Sequence, residues 1–125
     1  MELQYRELDN GIRLIKMIGK LDTNGVKEVE SNFIVHCAGS RVKLIVDLSE
    51  LDFLASVGSQ LILWTAKEVV SRGGRFVLFN PISTVEQVLN QIGVKEWALI
   101  HSDIDVATSF LLDKNVTRIP NPGPG

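Results

Sequence analysis

The side chains best placed for chemistry gather around one serine. Ser56 lies in Ala55-Ser56-Val57-Gly58, between an apolar run over residues 42–48 and a segment in which Leu61, Ile62, Thr65, Ala66, Val69 and Val70 recur at helical spacing. So continuous an apolar run suits a strand buried on both faces, and the segment after it suits an amphipathic helix. Ser56 is therefore expected at a helix N-terminus, where its hydroxyl can cap free N–H groups. The same position suits a phosphate, because the helix dipole and the unpaired N–H groups favour negative charge there. Ser56 as a nucleophile is a poorer reading. No Gly-x-Ser-x-Gly elbow surrounds it, and no neighbouring histidine supplies a base.

The other reactive residue types are scattered. His36 and His101 are far apart in the chain and belong to no metal-ligand spacing, so structural or solvent-facing roles are expected and no metal site. Asp47, Glu50 and Asp52 form a carboxylate cluster, but capping and turn chemistry explain Asp47 and Asp52 as well as acid–base catalysis does. Gly73-Gly74 is not followed by Lys-Ser or Lys-Thr, which makes it a turn and not a phosphate cradle. Cys37 continues the apolar spacing Val26, Val29, Phe33 and reads as a buried packing thiol. Trp97 is expected in the core among Val94, Ala98 and Leu99. Trp64, beside the helical stripe, suits either packing or an exposed interface anchor. With no convergent polar pocket in view, neither an enzyme nor a cofactor is expected.

The elements that position Ser56 follow from turns and periodicity. At 125 residues, 45% hydrophobic and 22% charged, the chain suits one domain with its own core. Residues 3–8 and 12–18 are extended, and Asp9-Asn10-Gly11 between them is a hairpin signal, both Asn10 and Gly11 accepting positive φ. A first helix is expected over residues 25–38, capped by Asp22, Thr23 or Asn24 and ended by Gly39. The buried strand 42–48, a functional loop over 51–58, a helix over 57–71 and a strand over 75–79 follow. Ser83-Thr84-Val85-Glu86 matches a capping box for a third helix, which buries Val85, Val88, Leu89 and Ile92 and stops at Gly93. A short strand over 97–100 and a last helix over 104–112 complete a domain at residues 1–113, with a flexible Pro/Gly-containing tail at 114–125. After the hairpin, helices alternate with strands. This predicts an α/β domain with about four helices covering a mixed sheet, its functional loops beyond the carboxyl ends of the strands.

The bulk properties limit the partners. Net charge is −2 with no basic run, which argues against nucleic acid. The single cysteine excludes an internal disulfide and suits a reducing compartment. No charged-then-apolar leader opens the chain and no apolar run approaches about 18 residues, so a cytoplasmic domain without membrane insertion is expected.

Over residues 3–112 the chain resembles a STAS domain of the bacterial anti-sigma-factor antagonist type. Gly19-Lys20-Leu21-Asp22 is similar to the family's Gly-x-Leu-Asp after its second strand. Ile45-Val46-Asp47-Leu48 and Phe53-Leu54-Ala55-Ser56-Val57-Gly58 resemble its central strand and signature loop. Arg72-Gly73-Gly74 with the strand after it, then residues 89–94, resemble its third unit. In the family the loop usually reads Asp-Ser-Ser-Gly or Asp-Ser-Thr-Gly, and the serine after the aspartate is phosphorylated by a partner kinase. Ser56 and Gly58 match; Ala55 replaces the aspartate and Val57 the second hydroxyl residue.

The resemblance implies a STAS fold and a non-enzymatic role: an anti-sigma-factor antagonist in a partner-switching pathway. It implies Ser56 as the phosphorylation site, with Ser59 second as an acceptor. Asp22, Ala55, Ser56, Val57, Gly58, Ser59, Gln60 and Trp64 would be the partner-facing set. The implied partners are an anti-sigma factor that is also a serine kinase, which would bring the ATP, and a phosphatase, with the domain itself a monomer or weak dimer. Two other roles are open to such a domain: an unphosphorylated scaffold, suggested by Ala55 and Val57, and an accessory subunit of a membrane transporter.

Overall fold

A computed structural model describes residues 1–113. The expected tail at 114–125 lies outside the described residues. The elements in order are β1 (Glu2–Glu7), β2 (Arg13–Leu21), α1 (Thr23–His36), β3 (Lys43–Leu54), α2 (Ser56–Ser71), β4 (Arg75–Phe79), α3 (Ser83–Gln91), a 3-10 turn (Val94–Glu96), β5 (Leu99–His101) and α4 (Ile104–Leu112). The five strands lie in sequence order across one sheet. β1 and β2 pair antiparallel, and every later pair is parallel. This is the mixed α/β sheet with an N-terminal hairpin that the alternation of elements predicts.

The hairpin closes differently in detail from its Asn-Gly signal. Only Gly11 takes positive φ, at 82°. Asn10 instead accepts the Ile12 N–H on its side-chain oxygen at 3.2 Å, and Leu8 and Ile12 close the turn through backbone bonds.

Alternation along β3 sends its side chains to two helical layers. Leu44, Val46 and Leu48 meet Phe33 of α1, Ile62 and Val69 of α2 and Leu89 of α3 in the larger core. Ile45 points to the other face, where Val77 and Leu99 pack under Ala107, Phe110 and Leu111 of α4. Cys37 is buried in the larger core as its spacing predicts, and burial pushes its thiol up to about 12. Trp97, expected in the core, is half-buried against it, with the Lys67 ammonium 5.7 Å from the ring centroid.

Several boundaries depart from expectation, among them that of α1, which runs Thr23–His36 with Cys37 and not Gly39 at its end. β3 does not stop at Leu48: it runs to Leu54, because β2 itself extends to Leu21 and pairs with it, Gly19 opposite Leu51 and Leu21 opposite Leu54, with register shifts on the way. The short strand lies at Leu99–His101, after the 3-10 turn. The capping box at Ser83 does not form. Ile82 is the cap residue of α3, without a side-chain bond, and Ser83 is already helical. Gly93, at φ 78°, ends that helix as expected.

Candidate functional site

The carboxyl ends of β2 and β3 place two helix N-termini side by side. Leu21 and Leu54 are register partners, and the next residues, Asp22 and Ala55, are the caps of α1 and α2. The Leu21 carbonyl accepts the Ala55 N–H at 3.1 Å, which stitches the two chain turns together. Asp22, one of the three expected caps, is the one used: its Oδ1 accepts the Gly25 N–H at 2.8 Å. Two glycines permit this closeness. A Cβ on Gly25 would stand 2.2 Å from the Lys20 carbonyl oxygen, and one on Gly58 2.5 Å from that of Leu21.

Ser56 is the first helical residue of α2, not its cap, so the expected capping bond from its hydroxyl does not form. Its side chain is exposed and makes no hydrogen bond among the described residues. The same stretch exposes large apolar side chains: Phe53 is 49% exposed, Val57 37% and Trp64 51%. Val57, Gln60 and Trp64 follow one another at three- and four-residue steps and so share the exposed face of α2. Of the two readings of Trp64, the structure selects the exposed one.

The expected surface set is only partly at the surface. Ser59 is 3% exposed and its Oγ donates to the Ser56 carbonyl at 2.8 Å, so its hydroxyl is engaged and turned from the surface. Helical periodicity explains this, since Ser59 is three residues before Ile62 on the buried side. Gly58 is buried against Leu21. Asp22 and Ala55 are half-buried, whereas Ser56, Val57, Gln60 and Trp64 are exposed. Phe53 is the residue that sequence reasoning missed. Along the end of β3 the buried residues are Leu48, Leu51 and Leu54, a spacing of three that a bulged strand produces and that leaves Phe53 outside.

The other reactive groups do not converge on this site. The Asp47 carboxylate accepts from the backbone and hydroxyl of Ser49 at 2.9 and 2.7 Å, and Glu50 pairs with Lys16. The bond to Glu50 raises the pKa of the Lys16 ammonium. His36 stacks on Tyr5, ring centroids 4.0 Å apart, and His101 Nδ1 accepts the Asp103 N–H at 3.0 Å, on another strand. Among the described residues no group of three or more His, Cys, Asp and Glu side chains is placed to hold a metal ion. No helix among them is long and apolar enough to cross a membrane.

A five-stranded sheet of this order, covered by four helices, has close parallels. The anti-sigma F factor antagonist of Lysinibacillus sphaericus is 26% identical over 100 residues, 79% of this chain and 86% of that one. An anti-sigma factor antagonist from Mycobacterium paratuberculosis superposes with a TM-score of 0.73 at 21% identity, covering 90% of this chain and 94% of that one. The anti-sigma factor antagonist SpoIIAA in its unphosphorylated form gives a TM-score of 0.69 at 23% identity, over 86% and 94% of the two chains. The phosphorylated form of the Bacillus SpoIIAA gives 0.62 at 24%, over 86% and 97%. These superpositions show the same fold. The STAS domain family matches residues 6–107, from the hairpin through every parallel strand and into α4, and the chain belongs to that family.

Proposed function

We propose that this protein is an anti-sigma-factor antagonist that binds an anti-sigma factor, itself a serine kinase, through Ser56 and the exposed face of α2, and that phosphorylation of Ser56 breaks the complex. The relative from Lysinibacillus sphaericus supports the general role. The observation that carries the reading is the Ser56 hydroxyl, exposed and without a hydrogen bond among the described residues, in a stretch that also exposes Phe53, Val57 and Trp64.

The physical account is local. A neutral hydroxyl can be covered by a partner if it finds one hydrogen bond, while the apolar side chains beside it supply buried area. A phosphoserine adds about −1.5 to −2 charges that must be desolvated at the same contact. Within the domain that charge meets the N-terminus of α2, where the dipole favours it, so modification opposes binding without opposing the fold. A phosphatase would reverse the step.

The test is calorimetric titration of the cognate anti-sigma factor with wild type, Ser56→Ala and Ser56→Asp, alongside mass-spectrometric mapping of the phosphate after incubation with that partner and ATP. Wild type and Ser56→Ala should bind alike, with Ser56→Asp weaker by at least about tenfold. Equal affinity for all three overturns the switch. In that event the alternative is a scaffold whose loop is never modified, the reading that Ala55 and Val57 favour.

A further inference from the structure

At the opposite pole of the sheet, where the parallel strands begin, basic side chains gather. Three of them act as caps. Arg13 donates to the carbonyls of His36 and Ala38 at 3.0 and 2.7 Å, and Arg72 donates to that of Gly39 at 3.0 Å. Arg75 donates to the carbonyls of Phe110 and Asp113 and stands over the Phe110 ring, 5.6 Å from its centroid. Such bonds answer the unpaired carbonyls and negative dipole at helix C-termini, and they account for these arginines.

Arg41 and Lys43 have no such account. Neither side chain makes a hydrogen bond or ion pair among the described residues. Both line, together with Arg75, a cavity of about 520 Å³ between the starts of β3 and β4 and the end of α4. Lys43 and Arg75 are register partners on neighbouring strands, so their side chains leave the same face of the sheet. Arg41 adds a third cation from a backbone held at φ 55°, in the left-handed region that non-glycine residues seldom occupy. Among the described residues of the lining, Asp113 carries the one carboxylate, and Arg41, Lys43 and Arg75 are cationic. Leu111 and Leu112 give the same cavity an apolar side.

We propose that this cavity is a binding site for a small phosphorylated organic anion, its phosphate held by Arg41, Lys43 and Arg75 and its apolar part lying against Leu111 and Leu112. Arg75, fixed by the carbonyls of α4, offers a pre-set guanidinium; Lys43 offers a point charge, and Arg41 closes from the exposed side. A volume of this size is in the range of small-molecule sites. The site is at the far end of the strands from Ser56 and does not depend on the partner-switching reading.

The experiment is an amide NMR titration of the full chain, with calorimetry in parallel, using phenyl phosphate, inorganic phosphate and phenol as probes. Phenyl phosphate should saturate and shift the amides of Gly73, Leu111 and Leu112 while leaving those of Ser56 and Trp64 in place. Inorganic phosphate should bind more weakly, and phenol should not saturate. Lys43→Ala and Arg41→Ala should each weaken phenyl phosphate by about tenfold or more, and Lys20→Ala, at the other pole, should leave it unchanged. Both cavity substitutions are at half-exposed or exposed positions, and unchanged thermal unfolding certifies their fold. Absence of saturation, equal binding by the Lys43→Ala variant, or shifts spread evenly over all basic residues would overturn the proposal.

Discussion

Ala55 occupies the cap of α2 with φ −82° and ψ 166°, the extended geometry of a capping residue, yet its methyl group accepts nothing from the first-turn N–H groups. The position is prepared for a side-chain oxygen that the residue lacks. Ala55→Asp should therefore stabilise the protein by about 1 kcal/mol, read as a higher urea midpoint at unchanged m-value. The same substitution restores the aspartate of the usual family loop, and it should increase phosphorylation of Ser56 by a kinase taken from a system with that loop. Phosphate mapped mainly to Ser59 or Thr65 would count against this account, as would no gain for the variant. Both of those hydroxyls are buried and donate to the carbonyls of Ser56 and Leu61, which makes them poor acceptors in the folded chain.

At the scale of elements, the site depends on how closely α2 approaches the end of β2. Gly58 is helical, and in a free helix Gly→Ala would stabilise by up to about 1 kcal/mol. Here the added Cβ would meet the Leu21 carbonyl oxygen at 2.5 Å and Leu21 Cγ at 2.8 Å, both beside the backbone bond to Ala55. Backbone cannot yield as a flexible side chain can, so steric conflict outweighs propensity. Gly58→Ala should lose about 1–3 kcal/mol by urea unfolding. A variant as stable as wild type would mean that α2 can stand further from β2, and with it that the two helix N-termini need not be held side by side.

The whole molecule separates its two faces and its two poles. α1, α2 and α3 cover one face of the sheet and α4 the other. The carboxyl pole presents Ser56 and an apolar surface, the amino pole cations. Among the described residues the largest pH signature in stability is at Cys37, which is buried, whereas the raised Lys16 ammonium is at the surface. Its thiol ionises near 9 when unfolded and is pushed up to about 12 by burial in the fold. Between those values the folded chain holds a proton that the unfolded chain has released, so stability is full below pH 9 and falls as pH rises toward 12. Cys37→Ala should show a shallower decline over that window in urea titrations at stepped pH, and the two slopes coinciding would contradict it.

What the sequence by itself determined was mainly what is written in short-range periodicity, although the local capping signals at Ser56 and Ser83 did not become capping bonds. The stripe of α2 and the buried spacing of Cys37 repeat at 3.6 residues. A cap among Asp22, Thr23 and Asn24 and the stop at Gly93 are likewise chemistry within a few residues of the chain, and the structure selects Asp22. Ser56 at the head of a helix was legible for the same reason. The tertiary structure decided whatever depends on a neighbour distant in sequence. β3 runs on to Leu54 because β2 pairs with it, and only the shifted register of that pair turns Phe53 outward beside Ser56. Ala55, not the expected Ser56, is the cap of α2, and its N–H is bonded to Leu21, thirty-four positions away in the chain. Lys43 and Arg75 are unremarkable apart in the sequence; parallel pairing sets them side by side, and α4, arriving last, encloses the cavity they share. Pairing register and layer packing have no local code, because each side chain's face is set by the strand or helix laid against it.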